Sequence, residues 1–164
     1  MYKNASMKDT LRLAFFNANG VNRQKHEVTE FLKEHDLDVM LINETDPQTS
    51  DRLKFANYTI YRSDWQHGPG GGTAILIKRS LTNYEVHIQN LTNPEATAIE
   101  VEISNTRRLR LVAVYNPPDK NILPSDLELI LDGTTPTIVG DNLNAKQRHW
   151  NCRVANSNGR RLEK

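Results

Sequence analysis

The sequence contains a single cysteine, Cys152, and no long apolar run. One thiol excludes an internal disulfide framework and fits a reducing compartment. No segment approaches the apolar length that spans a bilayer, so we expect no membrane-spanning helix. The first ten residues are polar and of mixed charge, without the apolar core of a secretory signal. We therefore expect an intracellular protein, nuclear or cytoplasmic, that is not secreted.

The net charge is small, at +1. This value argues neither for nor against a nucleic-acid partner, because a protein can concentrate its positive charge on one face. Basic residues become denser toward the end of the sequence, at Lys146, Arg148, Arg153, Arg160, Arg161 and Lys164. They are consistent either with a solvated tail or with an edge that contacts phosphates.

The apolar pattern predicts one domain of alternating strands and helices, for which 164 residues are sufficient. A strand at 11–16, an amphipathic helix at 25–35 and a buried strand at 39–42 open the domain. Further strands are predicted at 58–61, 74–78, 84–88, 96–103, 109–115 and 137–139, with a helix at 125–131. We expect an α/β fold over residues 11–164 and a disordered segment over residues 1–10.

Polar residues of a particular kind stand where the predicted strands end: Asn17, Glu44, Tyr115, Asp141, Asn142 and Asn144. Active sites gather at such ends because buried strands hold the flanking loops rigidly. A carboxylate there can bind a hard divalent cation, and a tyrosine hydroxyl can stabilise a developing charge. An asparagine can orient a water or a phosphate oxygen without adding negative charge. Each residue alone has a simpler structural explanation, so the prediction depends on the set.

Five segments around these residues resemble, in order, the motifs of the endonuclease/exonuclease/phosphatase family. They are Phe16-Asn-Ala-Asn-Gly20, Leu41-Ile-Asn-Glu-Thr45, Gly70-Gly-Gly-Thr-Ala-Ile-Leu-Ile77, Val114-Tyr-Asn-Pro-Pro118 and Gly140-Asp-Asn-Leu-Asn-Ala-Lys146. The resemblance is to the apurinic-type endonuclease of jockey-like non-LTR retrotransposons. Trp150-Asn-Cys152 and Asn158-Gly-Arg160 favour that branch over the DNA-repair and phosphatase branches.

The resemblance implies a DNase I-like fold, with two facing β-sheets flanked by helices and incomplete at the C-terminus. It implies Mg²⁺- or Mn²⁺-dependent hydrolysis of a phosphodiester in target DNA. The 3′-hydroxyl that remains would prime a reverse transcriptase domain on the same polypeptide. Glu44 matches the family's principal metal ligand, with Asn17 beside it. Tyr115 matches a residue that stabilises the pentacovalent phosphate, and Asn144 one that positions the attacking water or the phosphate.

The segment at Asp141 departs from the family pattern Gly-Asp-x-Asn. Aligning on Gly140 keeps Asp141 in the catalytic position but requires one extra residue before Asn144. Aligning on Asn144 places Asn142 there instead. Residues i and i+2 of an extended segment share a face, which favours Asn142, and Asp141 then points away unless a bulge re-aims it. An asparagine cannot take a proton from water, and losing a general base costs ~10²–10⁴-fold in rate.

The family pattern also continues past Lys164, with a further strand and a closing Ser-Asp-His segment that nothing here matches. His149 lacks the preceding Ser-Asp, and we expect it to be a surface histidine. Three hypotheses remain open. The chain is an active metal-dependent endonuclease, a catalytically inactive remnant that still binds DNA or a protein, or a phosphatase for a small phosphorylated ligand.

Overall fold

The computed structural model describes residues 10–46, 53–63, 71–104, 106–131 and 133–163. The segment 1–10, which the sequence predicts to be disordered, lies outside the described residues apart from Thr10. The start of the glycine-rich motif, Gly70, lies outside them as well.

The first sheet contains β1 (Leu13–Asn17), β2 (Val39–Asn43), β3 (Tyr58–Ser63) and β4 (Thr73–Lys78). Its strand order is β1-β2-β4-β3. β1 and β2 are parallel, whereas β4 is antiparallel to both β2 and β3. Every residue of β2 is buried, as expected for a central strand that is covered on both faces.

The second sheet contains β5 (Asn83–Val86), β6 (Glu95–Ser104), β7 (Arg107–Tyr115) and β8 (Thr137–Asn142). These strands lie in sequence order across the sheet. β7 and β8 are parallel, and the other two pairs are antiparallel. Each sheet is therefore mixed, and each has one parallel pair that ends in an edge strand, β1 or β8.

The two sheets face each other across an apolar layer. Alternate residues of the central strands β2, β4, β6 and β7 form it, among them Leu41, Ile75, Ile99 and Leu111. The residues between them point outward, because side chains of a strand alternate between its two faces. The period-two alternation of these strands thus supplies both the inner core and two outer apolar surfaces.

Helices cover the outer surfaces. Val28 and Leu32 of α1 (Lys25–Glu34) pack against Met40, Ile42 and Leu76 on the outer face of the first sheet.

On the second sheet, Ile130 of α2 (Pro124–Leu131) packs against Ala98, Val112 and Val114. The layers run helix, sheet, sheet, helix, which confirms the predicted fold of two facing sheets flanked by helices.

Two elements were not predicted from the apolar pattern: a short 3-10 helix at Arg148–Trp150 and the helix α3 (Ser157–Leu162). Both lie in the basic end of the chain, where the apolar periodicity is weak. None of the helices among the described residues has the length and apolar character needed to cross a membrane.

We expect Ile99→Ala to lower the free energy of unfolding by about 2–5 kcal/mol, because it leaves a cavity between the two sheets. Ile99 has no exposed surface. Ile138→Ala is the matched control, since that side chain is 42% exposed on edge strand β8. It should cost less than about 1 kcal/mol. Urea unfolding monitored by circular dichroism measures both, and equal losses would contradict this assignment of the core.

Candidate active site

The carboxyl ends of four strands meet at one end of the sandwich. β1 and β2 end together in the first sheet, and β7 and β8 end together in the second, because each pair is parallel. The side-chain amide of Asn43, the last residue of β2, donates to the backbone oxygen of Val114 in β7 at 2.7 Å. This buried bond joins the two sheets where the predicted site residues stand.

Glu44 lies at the centre of this end and follows β2 directly. Its Oε1 accepts hydrogen bonds from Nδ2 of Asn17 at 3.0 Å and from Nδ2 of Asn142 at 2.7 Å. Asn17 ends β1 and Asn142 ends β8, so one carboxylate oxygen bonds to the edge strands of both sheets. Within the described residues, Oε2 receives no hydrogen bond and is available to a ligand.

The backbone of Glu44 is left-handed, with φ of 54°. A non-glycine residue adopts this region only where the surroundings enforce it. Its carbonyl accepts from the amide of Gly20 at 2.8 Å, and the next amide, of Thr45, donates to the carbonyl of Gly72. Gly72 itself has φ of 79°, and a Cβ there would lie 2.3 Å from Oγ1 of Thr45. Only glycine fits this position beside the carboxylate.

Asn142, and not Asp141, faces Glu44. In the β7–β8 register Asp141 pairs with Val114 and Asn142 pairs with Tyr115, without a bulge in this part of the ladder. Asp141 therefore points to the opposite side of the strand. The residue as a whole is exposed, although desolvation of the carboxyl raises its pKa. Side chains therefore alternate along β8 as the alignment on Asn144 assumes, with Asn142 on the Glu44 side and Asp141 on the other.

Asn144 also has a left-handed backbone, with φ of 48°. Its amide nitrogen donates to Oδ1 of Asn142 at 3.3 Å, and its Nδ2 donates to the carbonyl of Asn116 at 2.8 Å. Its carbonyl accepts from Nδ2 of Asn156 at 2.7 Å. Its Oδ1 accepts no hydrogen bond from the part of the chain that the structure describes. That oxygen is the one polar atom of Asn144 left for a water or a substrate.

Tyr115 is half-buried at the end of β7, next to Asn142 across the strand pair. Burial raises the pKa of its hydroxyl, and the negative charges of Glu44, Glu95 and Asp119 raise it further. The hydroxyl therefore stays protonated at neutral pH and can donate a hydrogen bond to an anionic oxygen.

Sequence reasoning missed several amide side chains that hold these loops. Asn116 is fully buried and donates to the carbonyls of Pro117 and Lys120, and Asn43 bridges the sheets. Asn156 and Asn158 connect α3 to the loops after β7 and β8. Asn43, Asn116 and Asn158 stand in the quoted motifs, but an asparagine alone looks like an ordinary turn former, so the sequence carried no signal for their structural roles.

The donor set suits a hard divalent cation. No group of three or more histidine, cysteine, aspartate or glutamate side chains that could hold a metal occurs among the described residues. Glu44 offers one carboxylate, and the amides of Asn17 and Asn142 can present their oxygens by rotation. Mg²⁺ keeps several waters and needs only one or two carboxylates when a substrate phosphate completes its ligands. His149, by contrast, is exposed and paired with Glu163 at 3.6 Å, away from this donor set.

Residues 14–163 match the model of the endonuclease/exonuclease/phosphatase family. The chain is 28% identical over 143 residues to the RNA-directed DNA polymerase from mobile element jockey of Drosophila melanogaster, covering 86% of this chain. It is 30% identical over 160 residues to the probable RNA-directed DNA polymerase from transposon X-element of the same species, covering 91%. The chain spans only 16% and 17% of the length of these two proteins.

Solved structures share the fold. The endonuclease domain of TRAS1, a telomere-specific non-LTR retrotransposon, superposes with a TM-score of 0.72 at 19% identity, over 93% of this chain and 69% of that one. The AP endonuclease from Leishmania major gives a TM-score of 0.65 at 13% identity, over 89% and 59%.

We expect Glu44→Gln to lower the pKa of Tyr115 without removing the whole shift, because burial is the larger cause. The folded pKa lies above the unfolded value of about 10. The contribution of Tyr115 to the free energy of unfolding is therefore fully present below about pH 10. It is lost as the pH rises through the pKa of the folded state. Absorbance at the tyrosinate band, titrated from about pH 9 to 12, measures the shift, with Tyr115→Phe identifying the signal. An unchanged midpoint in Glu44→Gln, matched against the surface control Glu128→Gln, would contradict the coupling.

Proposed function

The chain belongs to the endonuclease/exonuclease/phosphatase family, and we propose that it is the endonuclease domain of a non-LTR retrotransposon. In this proposal it hydrolyses a phosphodiester of target DNA and leaves a 3′-hydroxyl that primes a reverse transcriptase domain on the same polypeptide. The observation that carries the proposal is the carboxylate of Glu44, held by Asn17 and Asn142 at the junction of the two sheets.

Each side chain has a role that its contacts support. Glu44 would hold Mg²⁺ or Mn²⁺ through its uncommitted Oε2, with the amide oxygens of Asn17 and Asn142 beside it. The bound cation would neutralise charge on the phosphate and on the leaving oxygen. The protonated Tyr115 would donate to a phosphate oxygen as charge develops, and Oδ1 of Asn144 would orient the attacking water.

The surface around the site suits a polyanion. In the described segment 143–163, which follows β8, five residues are basic and a single one, Glu163, is acidic. The five basic residues are exposed: Lys146, Arg148, Arg153, Arg160 and Arg161. Because the amides of Asn17, Asn142 and Asn144 carry no charge, the site adds little repulsion toward a phosphate. These features favour DNA over a small neutral ligand.

A second candidate, a remnant that binds DNA without cutting it, is favoured by one observation. The residue that faces Glu44 is Asn142, which cannot accept a proton from water. The carboxylate of Asp141 points to the other side of β8, where it cannot serve the same water. Among the described residues that bond to Glu44, none could act as a carboxylate base, although the site would still offer a metal ligand and charge stabilisation.

We expect the chain to nick supercoiled plasmid in the presence of Mg²⁺, and Glu44→Gln to reduce the rate at least about a hundredfold through lost metal binding. Glutamine keeps an oxygen that accepts from both amides, so the folded structure should survive. Glu128→Gln, on the exposed surface of α2, is the matched control. Agarose gel electrophoresis separates nicked from supercoiled plasmid.

Three outcomes of the plasmid assay would contradict the proposal. DNA binding in chelator without nicking by the wild-type chain would identify a binding remnant. Hydrolysis of a small phosphate ester but not of DNA would identify a phosphatase. Equal nicking rates for the wild-type chain and Glu44→Gln would show that Glu44 is not a metal ligand.

We expect Asn142→Asp to raise the nicking rate in Mg²⁺, by up to ~10²–10⁴-fold, because it supplies a general base beside Glu44. Without metal the same variant should be less stable than the wild type, since two carboxylates then face each other and the amide bond is lost. Thermal unfolding with and without Mg²⁺ should show a larger metal-dependent rise for this variant. Asp141→Asn is the control and should leave the rate unchanged. Loss of nicking in Asp141→Asn would assign the base to Asp141.

A further inference from the structure

The turn that begins α3 is bonded to the segment carrying Asn144. Asn156 is the N-cap of α3, and its Oδ1 accepts from the amide of Gly159 at 2.9 Å. The same Oδ1 accepts from the amide of Lys146 at 2.9 Å, and the Asn156 amide nitrogen donates to the Lys146 carbonyl at 3.0 Å. Its Nδ2 donates to the carbonyl of Asn144 at 2.7 Å. One side chain thus caps a helix and holds the segment after β8 at two positions.

The next turn of α3 is fixed against both site loops. Asn158 is 2% exposed, and its Oδ1 accepts from the amide of Ile122 at 3.0 Å. Its Nδ2 donates to the carbonyl of Lys120 at 2.9 Å, in the loop that follows Tyr115. A Cβ on Gly159 would lie 1.9 Å from the carbonyl oxygen of Lys146, so the helix sits directly on that backbone. α3 therefore cannot shift without moving the loops after β7 and β8.

This arrangement constrains Asn144 in particular. Its left-handed backbone is a conformation that asparagine tolerates but does not prefer. Its amide and its Nδ2 are tied to Asn142 and Asn116, and its carbonyl is tied to Asn156. The direction of the free Oδ1 depends on these three bonds. Asn142 and Asn116 lie at the ends of β8 and β7, whereas Asn156 belongs to the start of α3.

We propose that Asn156 is a positioning residue: through the carbonyl of Asn144 it fixes the direction in which Asn144 presents Oδ1 to the reacting water or phosphate. The inference rests on the proposed function for its effect on rate, but the local geometry it describes can be measured without activity. Asn156 makes no described hydrogen bond to Glu44 or Tyr115, so its effect on the site passes through its bonds to Asn144 and Lys146 and through the helix α3 that it caps.

Asn156→Asp tests the proposal because it separates the two functions of the side chain. Aspartate keeps the oxygen that accepts from Gly159 and Lys146, and it is as good an N-cap as asparagine. It loses the donation to the Asn144 carbonyl and sets a negative oxygen against it. We expect a small fall in thermal stability, because one hydrogen bond is lost and two oxygens repel each other locally, with a KM for DNA that changes little and a kcat lower by about tenfold or more. Ser157→Ala is the matched control, one residue along, where the one hydrogen bond that the hydroxyl donates among the described residues goes to the exposed Asn121 at 3.1 Å.

Backbone hydrogen exchange provides the readout that does not need nicking. In Asn156→Asp the amides over residues 142–147 should exchange faster, whereas those of the strands and of α1 should keep wild-type rates. Ser157→Ala should change neither. Faster exchange at 142–147 in a chain whose wild type does not nick would support the positioning role and refute the proposed function.

Two results would overturn the inference. One is exchange at 142–147 that is unchanged in Asn156→Asp. The other is a wild type that nicks DNA and an Asn156→Asp variant that nicks with the same kcat. A general loss of stability in Asn156→Asp, with faster exchange throughout, would reduce Asn156 to a helix cap and would also refute the specific role.

Discussion

The carboxylate of Glu44 accepts hydrogen bonds from the edge strand of each sheet, and the geometry of the site depends on that shared oxygen. Asn17 brings the end of β1 to it, and Asn142 brings the end of β8. The Glu44 side chain is only partly buried, so the two amide bonds serve mainly to orient the carboxylate. Removing the carboxylate would leave two amides without an acceptor and would remove one of the polar connections between the sheets at this end. In the proposed function, the ligand for the cation would also be one of the polar connections between the sheets.

Two other polar contacts between the sheets lie at this end of the sandwich. Asn43 donates to the carbonyl of Val114, and the hydroxyls of Thr73 and Thr97 lie 2.8 Å apart. Next to them the interface is apolar, filled by side chains such as Ile75 and Ile99. Apolar contacts are non-directional, but hydrogen bonds require a defined register. The apolar layer stabilises the sandwich, and the polar end fixes how the strand ends meet.

The apolar pattern could predict the individual strands because the central ones are nearly continuous apolar runs, such as Val39–Asn43, whereas the two-sheet sandwich was implied by the family resemblance. It could also predict that Asn17, Glu44, Tyr115 and Asn142 stand at strand ends, since each follows such a run. The choice between Asp141 and Asn142 depended on which of them points toward Glu44. Successive side chains point to opposite faces of a strand when no bulge intervenes, so this could be decided from their positions along β8. Local pattern was sufficient for these features because the strands are regular up to their last residues.

Local pattern failed for α3. The helix has six residues, which is too short to form on its own, and no apolar stripe marks it. It exists because Asn156 and Asn158 bond to segments up to 38 residues away, and because Gly159 allows backbone to meet backbone. In the sequence these residues resemble a polar turn. Their contribution appears only when the chain is folded. A helix that is stabilised by tertiary contacts, such as α3, could therefore not be predicted from its local sequence.

The amides around Glu44 also bear on when a cation would bind. A site with one carboxylate and neutral neighbours attracts a divalent cation less strongly than a site with two carboxylates. Mg²⁺ often completes its ligands with substrate phosphate oxygens, so such a site gains affinity when DNA is present. By the reciprocity of linked binding, a cation that binds better with DNA also makes DNA bind better. In the proposed function, the same asparagine that denies the water a base would favour the folded site without metal, because Asn142 donates to Glu44 where a second carboxylate would repel it. Under that proposal, position 142 would set a balance between the stability of the metal-free site and the rate of the reaction with metal.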